Sequence, residues 1–371
     1  MTNRAAKDPR NNPFTPTFGS IPLQLAGRDR IISDILNGLD NGPGDPNRAT
    51  IFVGARGTGK TVLLAKIAEE AAANGWVCVN VNADADILDE ILIQIKDNAK
   101  EFLSPESLSY LTSISIAGVG ISRSVGPSQR KTTWRSEMTS IIKELNAEGI
   151  GLLITVDEVN VRTDEMRTVI ITFQHFVRER RDVALIMAGL PQKVSLLLRN
   201  DSISFLRRAF QHHLAPIEET EVRFSMKRTI ELAGRKIEKE ALDLAVQNTK
   251  GFPFMIQLIG YHMWRQHPER ESISYADAEE GILLAQKDLE RMIFDITYSE
   301  LSEKDIAFLT AMLEDAEYST IAHIVSRMGV SSKYAGIYRK RLIDQGIIGS
   351  RGYGKVAFEL PMFREYLASR I

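Results

Sequence analysis

Residues 51–61 read IFVGARGTGKT. Ile51, Phe52 and Val53 close a short apolar run that begins at Ala49, the pattern of a buried strand. Gly54, Gly57 and Gly59 follow within six residues, and Lys60-Thr61 open KTVLLAKIAEEAAA, a run of strong helix formers. The pattern is G-x-x-x-x-G-K-[ST] between a predicted strand and a predicted helix. Glycines let successive backbone N–H groups curl around a phosphate at a helix N-terminus. A lysine at position 60 reaches the β- and γ-phosphate oxygens, and the Thr61 hydroxyl is a ligand for Mg²⁺. Gly54, Ala55, Arg56, Gly57, Thr58, Gly59, Lys60, Thr61 and Val62 are therefore the expected nucleotide contacts.

A loop of this kind needs a carboxylate at the end of a second strand. LLITVDEV, residues 152–159, is a continuous apolar run that ends in Asp157 and Glu158. Asp157 is placed to hold Mg²⁺ directly or through water. Glu158 is placed to polarise an attacking water, so an adjacent Asp-Glu pair favours an ATPase over a kinase.

Working outward, apolar strand patterns at 49–54, 75–83, 150–159 and 182–191 alternate with helical periodicity at 31–39, 60–72, 86–103, 134–149 and 163–180. Such alternation predicts a parallel sheet covered by helices on both faces. Residues 114–131, ISIAGVGISRSVGPSQRK, read as an irregular β insertion. Beyond Pro216 the strands give way to helices. The first 21 residues, rich in Asn, Pro and Thr, read as a flexible tail.

The 371 residues carry a net charge of −2, so any nucleic-acid site has to be a local patch. Cys78 is the only cysteine and lies in an apolar strand pattern, which excludes an internal disulfide and fits a reducing cytoplasm. No apolar run approaches ~18 residues, so no membrane span is expected. His212-His213 has no ligand-spaced partners and reads as structural.

Together these segments resemble an AAA+ ATPase, closest to the origin-recognition and replication-initiator-like group with its archaeal and STAND-type relatives. Leu25–Leu36 (LAGRDRIISDIL) is similar to the box preceding the phosphate loop. Phe205–Ile217 (FLRRAFQHHLAPI) looks like the segment carrying an arginine finger, with Arg207 and Arg208 as the residues offered to a neighbouring subunit of a homo-oligomer. Gly251–Tyr261 (GFPFMIQLIGY) resembles the lid helix, with Gly251 and Pro253 approaching the adenine.

The resemblance implies a core at 22–217 with sheet order 5-1-4-3-2, an α-helical lid at 218–297, and ATP/ADP with Mg²⁺ as ligands. Two departures stand out. The polar sensor at the tip of the fourth strand is replaced by Ala188-Gly189, and Phe254 occupies the place of a lid arginine. Both imply slow basal hydrolysis, because charges of this kind carry much of the rate in related enzymes.

Residues 298–371 show a third pattern. Three short helices precede a hairpin around GSRGYGK, with Ser319 and Ser331 as N-caps and Gly329 and Gly346 as helix stops. Such an order predicts a winged helix. Its second motif helix would present Ser332, Lys333, Tyr334, Tyr338, Arg339 and Arg341, and its wing Arg351, Tyr353 and Lys355. Residues 331–371 hold eight Lys/Arg against three Asp/Glu, a local +5 suited to the phosphates of duplex DNA.

Two functions follow from the sequence. One is a nucleotide switch that sets the orientation of a DNA-binding winged helix. The other is a STAND-like regulatory ATPase whose winged helix packs internally and whose target is a protein. A small-molecule kinase explains neither the lid nor the Asp157-Glu158 pair.

Overall fold

The computed structural model describes residues 11–371 except 18, 85, 109–126 and 161–163, with side chains at 127–133 also left aside. Contacts divide the chain into two compact units. One comprises Arg28–Gly54 and Lys60–Leu214; the other comprises the segment ending at Gly27, Ala55–Gly59 and Ala215–Ile371.

The first unit is built on five parallel strands: β1 (Ala49–Val53), β2 (Val77–Asn82), β3 (Leu152–Asp157), β4 (Val183–Gly189) and β5 (Phe210–His213). Their order is β2-β3-β4-β1-β5, the expected 5-1-4-3-2 read from the other edge. Ile51 and Val53 join one apolar cluster, and Phe52 between them is equally buried, so both faces of the sheet are covered. Every residue of β4 is buried, as a central parallel strand requires.

Helices α1 (Asp29–Asp40), α2 (Lys60–Ala73), α3 (Ile87–Ala99), α4 (Pro127–Ala147), α5 (Asp164–Arg178) and α6 (Pro191–Leu198) complete the unit. Most of the insertion expected at 114–131 lies outside the described residues. Its last five residues are helical, because α4 starts at Pro127, where a fixed φ and a missing N–H favour a first turn.

The second unit contains four helices in the region read as a lid, α7 (Glu219–Leu232), α8 (Lys239–Thr249), α9 (Pro253–Gln266) and α10 (Tyr275–Leu289), with a two-strand pair of β6 (Lys236–Ile237) and β7 (Ser272–Ile273). A π-turn at Glu290–Phe294 leads into α11 (Asp295–Ser299). Then come α12 (Glu303–Leu313), β8 (Ser319–Thr320), α13 (Ile321–Met328), α14 (Ser332–Asp344), β9 (Ile348–Ser350), β10 (Lys355–Phe358) and α15 (Phe363–Ala368). The strands pair in the order β8-β10-β9, the element order of a winged helix.

Ser331 caps α14 through the Tyr334 N–H, and Gly329 ends α13 in the left-handed region. The N-cap of α13 is Thr320 and not Ser319, whose hydroxyl donates to Met312 O at 3.3 Å.

The expected N-terminal tail is in part ordered. Phe14 is buried, seated against Gly260 of α9, where a Cβ would clash with its ring. Asn12 Nδ2 donates to Tyr261 O at 2.8 Å, and the Thr15 N–H donates to Gln257 Oε1 at 3.1 Å. Burying an aromatic ring contributes about 2 kcal/mol, enough to hold a short polar segment in place.

Candidate nucleotide site and winged-helix face

The phosphate loop leaves β1 at Val53, where the Gly54 N–H donates to Gly189 O at 3.3 Å. Gly57 and Gly59 have φ of 77° and 86°, a region costly for any residue with a Cβ. Thr58 Oγ1 donates to Ala55 O at 2.9 Å, closing the turn on itself. Lys60 Nζ donates to Gly54 O at 2.9 Å, so its ammonium lies over the start of the loop.

Thr61 Oγ1 donates to Asp157 Oδ2 at 2.5 Å. Asp157 Oδ1 accepts the Glu158 N–H at 2.8 Å. Two hard oxygen ligands thus meet at the end of β3 beside the lysine of the loop, a donor set that suits Mg²⁺ carrying a polyphosphate. Among the described residues no group of three or more His, Cys, Asp or Glu could hold a metal ion.

Glu158 has φ +51°, a left-handed backbone that a glutamate adopts only at a cost. Its neighbour Val159 donates its N–H to Ala188 O at 2.9 Å. A Cβ on Gly189 would lie 2.6 Å from Val159 Cγ2. The absence of a polar sensor at the tip of β4 therefore has a packing cause: Val159 fills the space such a side chain needs. Asn160, which carries no motif signal, ties the loop after Glu158 to the end of β2 by donating to Ala83 O at 2.9 Å.

Of the two arginines read as fingers, Arg207 donates Nε to Leu198 O at 2.8 Å and approaches Asp201 at 3.5 Å. Arg208 is exposed beside it. His212, on the edge strand β5, packs against Phe52 with ring centroids 5.8 Å apart, and burial pushes its pKa down.

In the lid unit, Gly251 has φ +68° and its carbonyl accepts the Ile217 N–H at 2.8 Å. Pro253 is the first residue of α9, and Phe254 packs partly buried against the lid core.

In the region read as a winged helix, the residues read as DNA contacts divide into two groups. Arg341 is bound to the buried Asp305 and to Ser302 Oγ at 2.6 Å. Arg351 pairs with Glu359 at 2.8 Å, and Lys355 lies 4.2 Å above the Tyr318 ring. Tyr338 donates its hydroxyl to Tyr334 at 3.1 Å, and Arg339 reaches Ser350 Oγ at 3.5 Å. Lys333, Ile337 and Lys340 stand exposed along α14, spaced three and four residues apart on one side. The sequence reading had omitted Ile337 and Lys340.

Compared with solved structures, the chain is similar to Cdc6p from Pyrobaculum aerophilum at 15% identity, covering 96% of this chain and 97% of that one, with a TM-score of 0.50. It is similar to the ORC2 protein of Aeropyrum pernix in its ADP form at 16% identity, covering 95% and 96%, with a TM-score of 0.55. The chain has the AAA+ fold. On this sheet Thr61, at the start of α2, meets Asp157 at the end of β3. A family described as "Domain of unknown function (DUF8462)" matches residues 291–367 of this chain. No curated protein matches the sequence. Among the described residues no helix is long and apolar enough to cross a membrane.

Proposed function

We propose that this chain binds ATP with Mg²⁺, hydrolyses it slowly, and uses the nucleotide state to control duplex DNA binding by its winged helix. The observation that carries the nucleotide part is the Thr61–Asp157 hydrogen bond of 2.5 Å beside a loop with glycines at positive φ. Lys60 and the loop N–H groups supply positive field to the phosphates. Thr61 and Asp157 would hold the cation, whose bound form neutralises developing phosphate charge. Glu158 is the base that orients water.

Without a polar sensor at Ala188-Gly189 or an arginine at Phe254, turnover is expected below ~10 s⁻¹, the median for enzymes. Arg208 is the finger offered to a second copy in a homo-oligomer, with Arg207 holding the segment that carries it. Gly251 and Pro253 are the residues that the resemblance assigns to the adenine. The ADP form of the similar ORC2 protein supports the ligand class. A cytoplasmic setting fits the single reduced Cys78.

DNA would be met by Lys333, Lys340 and Arg339 of α14, with Tyr334, Tyr338 and the wing residues Arg351, Tyr353 and Lys355 flanking them. The second reading, a winged helix that packs internally in a protein-directed switch, is favoured by one observation. The lid and the winged helix share a single apolar core, in which Phe294 meets Phe363 and Tyr366 at 5.5 and 5.1 Å.

ATP turnover with and without duplex DNA, against a Glu158→Gln control, separates the two. Stimulation by DNA that vanishes in the control supports the DNA-coupled switch. Slow turnover indifferent to DNA assigns the chain to the protein-directed reading.

A further inference from the structure

In the unit that holds the lid, three glycines are packed where no side chain fits. Gly27 has φ +59°, and a Cβ there would lie 2.9 Å from Ile217 Cγ2. Gly251 has φ +68°, and its Cβ would run into the Ile217 carbonyl oxygen. Gly57 of the phosphate loop has φ +77°, and its Cβ would collide with the ring of Phe252. The contacts form one continuous seam, Gly27–Ile217–Gly251–Phe252–Gly57, locked at its centre by the Ile217 N–H to Gly251 O bond of 2.8 Å.

Phe252 is the large side chain of this seam. It is 4% exposed, and its N–H donates to Thr249 O at 2.9 Å, so its backbone is fixed. It immediately precedes Pro253, whose ring atoms lie 3.7 Å from where a Cβ on Gly59 would be. Gly57 thus rests on the residue that precedes α9, while Gly59 would have room for a Cβ against the next.

A glycine-rich loop has little conformational preference of its own. Its N–H groups converge on a phosphate at low cost only if something else fixes its backbone beforehand. We infer that Phe252 is the positioning residue of the phosphate loop: its ring is the wall that holds Gly57 in the cradle conformation and links the loop's shape to α9. A change in the loop on nucleotide exchange then reaches the lid through an aromatic contact and needs no lid arginine. This inference rests on reading the loop as a nucleotide site.

The test uses the full chain with Phe252→Ala, Phe252→Leu and, as a control for lost lid packing, Ile259→Ala at another fully buried lid position. Two quantities are read well below each variant's Tm: amide exchange of residues 54–61 without nucleotide, and Kd for a fluorescent ADP. Phe252→Ala is expected to speed loop exchange and weaken ADP about tenfold or more by loss of preorganisation. Phe252→Leu restores most of both, while Ile259→Ala lowers Tm and leaves both unchanged. Loop exchange unchanged in Phe252→Ala overturns the inference whatever the affinity. Wild-type protein that binds no ADP overturns the nucleotide reading instead, and the exchange result still decides the role of Phe252.

Discussion

The Thr61 hydroxyl donates to Asp157 Oδ2 across 2.5 Å, joining the first turn of α2 to the end of β3. This bond brings together the two oxygens proposed to hold Mg²⁺. Thr61→Ala removes one of them and is expected to weaken Mg-ATP binding by about tenfold, the worth of one charge-assisted hydrogen bond. Thr61→Ser should stay near wild type. Calorimetric titration with and without Mg²⁺ checks this, and an alanine variant with unchanged Mg²⁺ dependence refutes the assignment.

Glu158 is strained by its φ of +51°. Glycine relieves that strain, so Glu158→Gly is expected to raise stability by about 1 kcal/mol while abolishing turnover. Glu158→Gln keeps the strain and should lose turnover without the gain. Paired denaturation and turnover measurements decide it. A glycine variant less stable than the glutamine variant would show that the left-handed backbone carries no penalty here.

Arg341 and the two exposed lysines of α14 should separate cleanly. Arg341 serves the buried Asp305, and Arg341→Ala is expected to destabilise the winged helix by about 2 kcal/mol by stripping that carboxylate of a charged partner. Lys333→Glu and Lys340→Glu should leave stability within ~0.5 kcal/mol. They should weaken duplex binding and lower the salt slope by roughly one per lysine. Equal effects of all three on DNA, with none on stability, would contradict this division.

Two hydrogen bonds from the Arg327 guanidinium, at 2.6 and 2.9 Å, hold the Asp315 carboxyl well below the usual carboxylate range, with Ser319 and His323 adding to the effect. A carboxyl depressed in the folded state stabilises above its unfolded pKa of about 4 and loses that contribution as pH falls through the folded value. Melting of the chain is therefore expected to become acid-sensitive below about pH 4. Arg327→Met should flatten this part of the profile. A wild-type profile with no steeper acid limb than the variant's would count against the pair.

How much of this was legible in the sequence differed with the range of the interaction. The phosphate loop and Asp157-Glu158 are local patterns fixed by strand–turn–helix chemistry, so their residues, and the sheet order their resemblance implied, could be read directly. The cause of the missing sensor could not, because it lies in Val159 filling the space beside Gly189, thirty positions along the chain. Phe14 sits among Asn, Pro and Thr, and only the slot at Gly260 turns that polar segment into a docked one. Arg341 looks like its basic neighbours until Asp305 is found beneath it. Pro127 was a helix-start signal that the surrounding glycine, serine and valine concealed.

The most direct measurement of the central claim is ATP turnover and Mg-ATP binding by the purified chain and its Glu158→Gln variant. Wild type is expected to turn over ATP at less than ~10 s⁻¹. The variant is expected to bind ATP with similar affinity and not to hydrolyse it. Absence of ATP binding in wild type, or equal turnover in both proteins, would contradict it.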